Sequence, residues 1–95
     1  MTDVMEAHAR AFAALGHPTR LGIVAFLRDQ GEEAQRVGRI QAALGVPAST
    51  LSHHLDVLRA AGVVRTTRQE RFIYCRLQGD VLAALAAVLR EGPGE

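Results

Sequence analysis

The 95-residue sequence predicts one mainly α-helical domain with a small β-hairpin, in the order α-α-α-α-β-β-α. Apolar residues recur at helical spacing in four segments, and each segment is followed by a glycine. Two segments rich in β-branched and aromatic residues come next, and an alanine-rich helical segment closes the chain. At roughly 100–200 residues per domain, the length leaves no room for a second domain. We assign residues 1–95 to one domain and expect 91–95 to be a frayed tail.

The first two predicted helices meet at residues 16–18. The apolar stripe of the first helix stops at Gly16 and consists of Val4, Ala7, Ala11, Phe12 and Leu15. Pro18 fits the first turn of the second helix, because the N–H that proline lacks would have no helical partner there. The stripe of that helix consists of Leu21, Ile23, Val24 and Leu27. Gly31 then predicts its end.

A polar connection, residues 31–36, leads to two further helices with the spacing of a helix-turn-helix. The stripe of the third helix stops at Gly45 and consists of Val37, Ile40, Ala43 and Leu44. Pro47 opens the fourth helix, and Gly62 closes it. Its stripe has i, i+4, i+7 spacing and consists of Leu51, Leu55 and Leu58. These leucines predict which face of the fourth helix is buried.

The opposite face of the fourth helix is polar. Its residues at helical spacing are Ser49, Ser52, His53 and Asp56. Hydroxyl and imidazole groups donate and accept hydrogen bonds, and the leading turns of such a helix usually contact bases in the major groove. We assign DNA contacts to Ser49, Thr50, Ser52 and His53. The alternative is a solvated helix face, and His54 beside it is expected to be half-buried.

Residues 63–67 and 71–77 predict a β-hairpin, with Gln69 and Glu70 between its strands. The turn type stays open at this point. The favoured two-residue turns need positive φ, and this segment contains no glycine.

Positive charge is concentrated in and around the hairpin. The chain has 11 arginines, no lysine and 10 acidic residues, for a formal net charge of +1. Residues 59–76 hold five arginines and one glutamate, a net charge of +4, so the remaining residues sum to −3. A basic hairpin after a candidate recognition helix is typical of a winged helix that binds DNA. We assign phosphate or minor-groove contacts to Arg59, Arg68 and Arg71, with arginines that serve only solubility as the alternative.

The last predicted helix is capped by Asp80 and runs to Glu91. Residues 81–89 are apolar around the whole circumference, so this helix must be covered on several sides. We predict a C2 homodimer in which the first and last helices of two copies pack together, with packing inside one chain as the alternative. Such a dimer sets two recognition helices about one DNA turn apart on a roughly palindromic site.

No membrane or secretion segment is evident in the sequence. The nine apolar residues 81–89 are about half of what a bilayer span needs. The N-terminus has no basic start followed by an apolar run. We therefore expect a cytoplasmic protein with no membrane partner.

Three motifs in the same order resemble the ArsR/SmtB family of transcriptional repressors, and they cover about residues 5–90. They are the second-helix run Ala14–Leu21, the recognition run Leu44–Leu55, and the helix end and wing at Leu58–Val64 and Arg71–Tyr74. The resemblance implies a dimeric winged helix-turn-helix repressor that leaves its DNA operator when it meets an inducer. It also implies that Ser49, Ser52 and His53 read DNA, in agreement with the helix face derived above.

The sequence departs from the metal-sensing motifs of the family it resembles. Where one family site has Cys-Val-Cys before the helix-turn-helix, this chain has Arg36-Val37-Gly38. A second site uses Asp, His and Glu of the last helix, but no histidine follows His54, and Asp80 and Glu91 alone cannot hold zinc. The adjacent C-terminal cysteines that bind arsenite in similar members are absent. We expect no metal and no cofactor, and the inducer is unidentified.

The other candidate metal ligands are one cysteine and four histidines. Cys75 lies in the apolar alternation of the second strand and is predicted to be a small buried hydrophobe; a redox role would need a second thiol. His53 and His54 point about 100° apart on a helix, so they do not easily share an ion. His8 and His17 flank a helix end, and whether they meet across the dimer stays open.

Two other classes of function compete with a DNA-binding repressor. The first is a winged-helix module whose arginine-rich hairpin binds a protein instead of DNA. The second is an enzyme, which we exclude because Ser52 and His53 lack the acid, strained elbow and oxyanion site of a hydrolase. The sequence also has no phosphate-binding glycine loop.

Overall fold

A computed structural model describes residues 3–92 and confirms the mainly α-helical fold with its hairpin. The five helices are α1 (Asp3–Leu15), α2 (Pro18–Asp29), α3 (Val37–Leu44), α4 (Ala48–Ala60) and α5 (Gly79–Glu91). The three strands are β1 (Gln35–Arg36), β2 (Val64–Gln69) and β3 (Phe72–Leu77). Of the predicted frayed tail, residue 91 ends α5 and residue 92 caps it, while 93–95 lie outside the described residues.

The strand β1 was not predicted, and it turns the hairpin into a three-stranded antiparallel sheet with the order β1-β3-β2. Gln35 pairs with Cys75, and Arg36 pairs with Tyr74. A two-residue strand has no apolar alternation that a sequence pattern could register. Gln35 is buried, and its amide is satisfied by the Glu33 carbonyl at 3.3 Å and by Arg39 at 3.2 Å.

The hairpin turn lies one residue later than predicted. Gln69 pairs with Phe72, so Glu70 and Arg71 form a two-residue turn and Gln69 belongs to β2. Glu70 has a φ of 58°, the left-handed conformation that such turns require and that glycine usually supplies. The turn therefore forms without a glycine, and a glycine would have indicated its position in the sequence.

The core lies between the helices and the inner part of the sheet. Its buried apolar residues come from all five helices, β2 and β3 and the residue before β2, and they are Ala11, Ala14, Ile23, Leu27, Ile40, Leu51, Leu55, Leu58, Val63, Val64, Cys75 and Leu85. Cys75 is fully buried, as predicted, and burial raises the pKa of its thiol to about 12. The sequence predicts that Ile73, Cys75 and Leu77 alternate towards the core. Ile73, next to the turn, is 43% exposed, whereas Cys75, further from the turn, is fully buried.

The helix α5 begins two residues earlier than predicted, and Asp80 is not its N-cap. Gln78 occupies the cap position, its side chain makes no capping hydrogen bond, and its carbonyl accepts from the N–H groups of Val81 and Leu82 at 3.0 and 3.2 Å. Gly79 takes a helical conformation, which moves the first turn upstream. Asp80 lies in that first turn, where a carboxylate interacts favourably with the helix dipole.

The terminal helices retain apolar surface within one chain. Leu85 is the one buried residue of α5, whereas Leu89 is 74% exposed and Val4 of α1 is 61% exposed. Along residues 3–92, no helix combines the length and the apolar character needed to cross a bilayer.

Candidate nucleic-acid interface

The turn between α3 and α4 sets the angle at which α4 leaves the core. Gly45 ends α3 in the left-handed conformation, with a φ of 67°, and its N–H donates to the Gln41 carbonyl at 2.8 Å. Pro47 is the N-cap residue of α4, and its carbonyl accepts from the Leu51 N–H at 3.0 Å. Because glycine adopts positive φ without steric cost, three residues suffice to connect the two helices. This is the helix-turn-helix that the sequence predicts.

The two faces of α4 are separated as predicted. The core side holds the three leucines of the stripe, Leu51, Leu55 and Leu58, all buried. The predicted DNA-reading side chains, Ser49, Thr50, Ser52 and His53, are all exposed. Ser49, Ser52 and His53 share one side of the helix at i, i+3, i+4 spacing, and Thr50 lies beside them. This exposed face therefore carries hydrogen-bonding groups on a helix whose opposite face is fixed in the core by the buried leucines.

Arg59 lies in the last turn of α4 and is engaged in a local pair. Its Nη2 atom donates to Oδ1 of Asp56 at 3.1 Å, and both side chains are largely exposed. An exposed i,i+3 pair of this kind contributes little to stability. Of the three predicted phosphate-contacting arginines, Arg59 is the one that has a carboxylate partner in the described residues.

The other two predicted arginines lie at the tip of the hairpin, and both are exposed. Arg68 of β2 donates from Nε to the Glu70 carbonyl at 3.3 Å, and Arg71 lies in the turn with its guanidinium 5.2 Å from the centre of the Phe72 ring. This position leaves both cations on the outer part of the hairpin, as a DNA-contacting wing requires.

Arg36 is absent from the predicted DNA-contact set, yet it lies beside the wing. Its guanidinium stacks over the Phe72 ring at 4.0 Å from the ring centre, closer than that of Arg71. The pairing of Arg36 with Tyr74 explains this position, since Phe72 lies two residues before Tyr74 and on the same face of β3. No sequence signal reveals the contact, because it depends on β1. Arg36, Arg68 and Arg71 are called the wing arginines below.

His54 is buried, with 7% of its surface exposed, and the expectation that it is half-buried was wrong. Its ring lies 4.5 Å from the ring of His17, and its Nδ1 atom lies 3.1 Å from Nη1 of Arg20. These residues come from the start of α2 and the turn before it, which cover the ring from the side of α4 that faces the core. Burial is the largest cause that lowers the pKa of His54, followed by the charges of its cationic neighbours.

Three histidines of the described region, His17, His53 and His54, have local contacts. His17 caps α2, because its Nδ1 atom accepts from the Thr19 N–H at 3.1 Å. His53 lies 5.5 Å from His54, between ring centres. Within residues 3–92, no group of three or more histidine, cysteine, aspartate or glutamate side chains is arranged to hold a metal ion. A meeting of His8 and His17 across a dimer stays a prediction.

A family profile described as a helix-turn-helix domain matches residues 15–67, which span α2 to most of β2. A biofilm growth-associated repressor of Agrobacterium fabrum is 43% identical over 75 residues, covering 79% of this chain and 62% of the relative. The HTH-type transcriptional repressor SmtB of Mycobacterium tuberculosis is 39% identical over 93 residues, covering 95% of this chain and 66% of the relative. The chain belongs to the ArsR/SmtB family. It spans less than two thirds of the length of either relative.

A solved structure supports the same assignment for this ArsR/SmtB-family chain. The solution structure of the homodimeric winged helix-turn-helix DNA-binding domain of a possible ArsR-family regulator from Mycobacterium bovis matches with a TM-score of 0.74 and 32% identity. The match covers 94% of this chain and 84% of that one. In this ArsR/SmtB-family chain, Arg36 takes the place of a cysteine of the family's metal-binding motif. Its guanidinium stacks instead on Phe72 of the wing.

Proposed function

We propose that this protein is a homodimeric, sequence-specific DNA-binding transcriptional repressor. The observation that carries the proposal is the separation of the two faces of α4. Ser49, Thr50, Ser52 and His53 are exposed on a helix whose opposite face is fixed in the core. The exposed wing arginines add the cations that phosphate contacts need. The related proteins named above are regulators and not enzymes, which supports a role in binding over catalysis.

The apolar surface of the terminal helices supports the dimer. Val4 and Leu89 are both more than half exposed, on the first and last helices. A second copy that covers them removes this apolar surface from water. The related Mycobacterium bovis domain is homodimeric. We infer that two α4 helices are set about one DNA turn apart, so that the operator is roughly palindromic. We infer that such a repressor acts in the cytoplasm.

The remaining part of the proposal is that an inducer releases the repressor from DNA. The protonation state of Cys75 limits which inducers this residue could bind. Metal and arsenite ligation both use the thiolate form of cysteine. Burial holds the pKa of the Cys75 thiol at about 12, so this thiol stays protonated and covered near neutral pH. We infer that the inducer is not captured through Cys75. A titration of the DNA complex with Zn²⁺ or arsenite is expected to leave it intact, and release that the Cys75→Ala variant loses would contradict this inference.

Binding to the DNA upstream of the gene for this protein tests the central proposal. Fluorescence anisotropy is expected to give a Kd at least about 1,000-fold lower for one upstream site than for a shuffled sequence of the same composition. The logarithm of the affinity is expected to fall linearly with the logarithm of the salt concentration. Equal affinity for the two DNA sequences would overturn sequence-specific recognition. Sedimentation as a monomer at micromolar concentration would overturn the dimer.

A further inference from the structure

Arg20 joins three helices behind the recognition helix α4. It lies in the first turn of α2, and its Nε atom donates to the carbonyl of Ala14 at the end of α1. Its Nη1 atom lies 3.1 Å from Nδ1 of His54, which is 34 residues further along the chain. One half-buried guanidinium therefore connects α1 and α2 to the middle of α4. Neither Arg20 nor His54 is among the residues proposed above to contact DNA.

The chemistry of arginine fixes the protonation state of the histidine in this contact. A guanidinium has only N–H donors, so Nδ1 of His54 must be the acceptor. The ring is then neutral, with its proton on Nε2. A proton on Nδ1 would remove the acceptor and would bring a second cation within 3.1 Å of Arg20.

Among the described residues, every group recorded as acting on the His54 ring disfavours such a cation. The titratable or charged groups that act on the ring come from α4 itself and from α2 and the turn before it, and they are His53, Arg20 and His17. All three act in the direction that lowers the pKa of His54. Nδ1 of His17 is already an acceptor, for the Thr19 N–H. The ring is 7% exposed, so water gives it little compensation.

His54 is also next to the side chains proposed to read DNA. His53 precedes it directly, with the two ring centres 5.5 Å apart, and Ser52 lies one residue earlier. Movement of the His54 ring out of its site would remove the side-chain contact that ties this part of α4 to Arg20 of α2. Side chains that read base edges tolerate little displacement, because hydrogen bonds weaken steeply with distance and angle.

We propose that Arg20 is a positioning residue that holds α4 in its DNA-reading orientation through the neutral ring of His54, so that protonation of His54 weakens DNA binding. The inference rests on the proposed function and adds a dependence on pH to it.

The sign of the pH effect separates this role from simple electrostatics. Burial, together with the nearby positive charges, lowers the pKa of His54 from its ordinary value of 6.5. When the ring leaves its site, its pKa returns towards 6.5. The clamp is therefore complete above about pH 6.5 and is lost as the pH falls through the lowered pKa. Exposed histidines that merely gain charge near phosphates would strengthen DNA binding in acid, which is the opposite trend.

The decisive measurement is the Kd for the upstream DNA as a function of pH at constant ionic strength. We expect the affinity of the wild-type protein to fall about tenfold from about pH 8 to about pH 5.5, within the range where its circular dichroism spectrum is unchanged. The matched variant is His54→Asn, because the Asn Oδ1 atom takes approximately the place of Nδ1, accepts from Arg20 and does not titrate. We expect this variant to bind at pH 8 and to lose the decline.

A second variant and a spectroscopic measurement make the test independent of one substitution. Arg20→Lys keeps the charge but cannot donate to both acceptors from a fixed planar group, so we expect weaker DNA binding at pH 8 with an unchanged circular dichroism spectrum. Nitrogen-15 NMR of the wild-type histidines at pH 8 is expected to show His54 with its proton on Nε2. A proton on Nδ1 would overturn the clamp whether or not the variants fold.

The outcomes distinguish the clamp from the proposed function. A wild-type protein that fails to prefer the upstream DNA at pH 8 overturns the repressor proposal. A wild-type protein that binds at pH 8 and shows the same pH profile as His54→Asn overturns the clamp alone.

Discussion

The recognition helix and the wing present their candidate DNA-binding groups in different ways. On α4, short polar side chains stand on a helix backed by three buried leucines and by the buried ring of His54. On the wing, long arginine side chains extend from a hairpin that leaves the core, and Ile73 beside them is 43% exposed. Hydrogen bonds to base edges need fixed geometry, whereas attraction to phosphates needs charge and tolerates movement. Burial is therefore concentrated behind the face that is proposed to read sequence.

The largest expected change in stability comes from a substitution in the buried face of α4. Leu58→Ala removes a fully buried side chain from the base of the helix and leaves a cavity, so we expect a loss of about 2–5 kcal/mol in the free energy of unfolding. Ile73→Ala is the matched control on the wing, where an exposed position is expected to change stability by about 0.5 kcal/mol or less. Urea denaturation at one fixed protein concentration measures both variants. Equal losses would show that the wing is as much a part of the core as α4.

The next effect concerns what α4 contributes to recognition. His53→Ala removes an exposed hydrogen-bonding group, so we expect the preference for the correct base pair at one operator position to fall by about 1–3 kcal/mol. Affinity for shuffled DNA is expected to change little. The measurement is a set of Kd values for operators that each carry one altered base pair. If all of them weaken equally, His53 positions the protein on the backbone and does not read sequence.

The wing variants are expected to show smaller and uniform effects. Arg68→Ala and Arg36→Ala each remove an exposed cation, at an expected cost of about 0.2–1 kcal/mol for every DNA sequence. Each is expected to lower the salt dependence of binding by about one phosphate contact. Arg28→Ala, which removes an exposed charge at the end of α2, serves as the control. An unchanged salt dependence for Arg36→Ala would restrict the DNA-binding wing to the hairpin itself.

The smallest expected effect is at the end of α4. Arg59→Gln breaks the exposed ion pair with Asp56, and we expect the free energy of unfolding to change by less than about 0.5 kcal/mol. A reduced salt dependence of DNA binding in this variant would indicate that Arg59 exchanges its carboxylate partner for a phosphate. An unchanged salt dependence would remove Arg59 from the interface.

Local chemistry made most of the helices predictable from the sequence. Gly31, Gly45 and Gly62 all have positive φ in the structure, close to the helix ends that they predicted. The leucine spacing identified the buried face of α4, because the helical period relates sequence directly to direction. The polar face of the candidate site followed from the same relation.

The features that the sequence did not reveal depend on contacts between distant residues. The strand β1 exists because two residues meet β3 some forty positions later, and its Gln35 and Arg36 have no strand pattern of their own. Burial of His54 depends on residues of the turn before α2 and of α2 itself. The turn at Glu70 is local, but its positive φ occurs in a residue that seldom adopts it. Neither the spacing of apolar residues nor the intrinsic preferences of single residues predicts these three features.

The strand β1 has a mechanical consequence. Arg36 is its last residue, and Val37 is the first residue of α3, so one peptide bond joins the sheet of the wing to the first helix of the reading motif. In the proposed repressor, this junction would hold the wing at a fixed distance from the reading motif. A DNA-binding surface of fixed length would respond to the helical twist of its site as well as to the bases. Overwinding or underwinding the operator, as supercoiling does, would then change occupancy without any change in sequence.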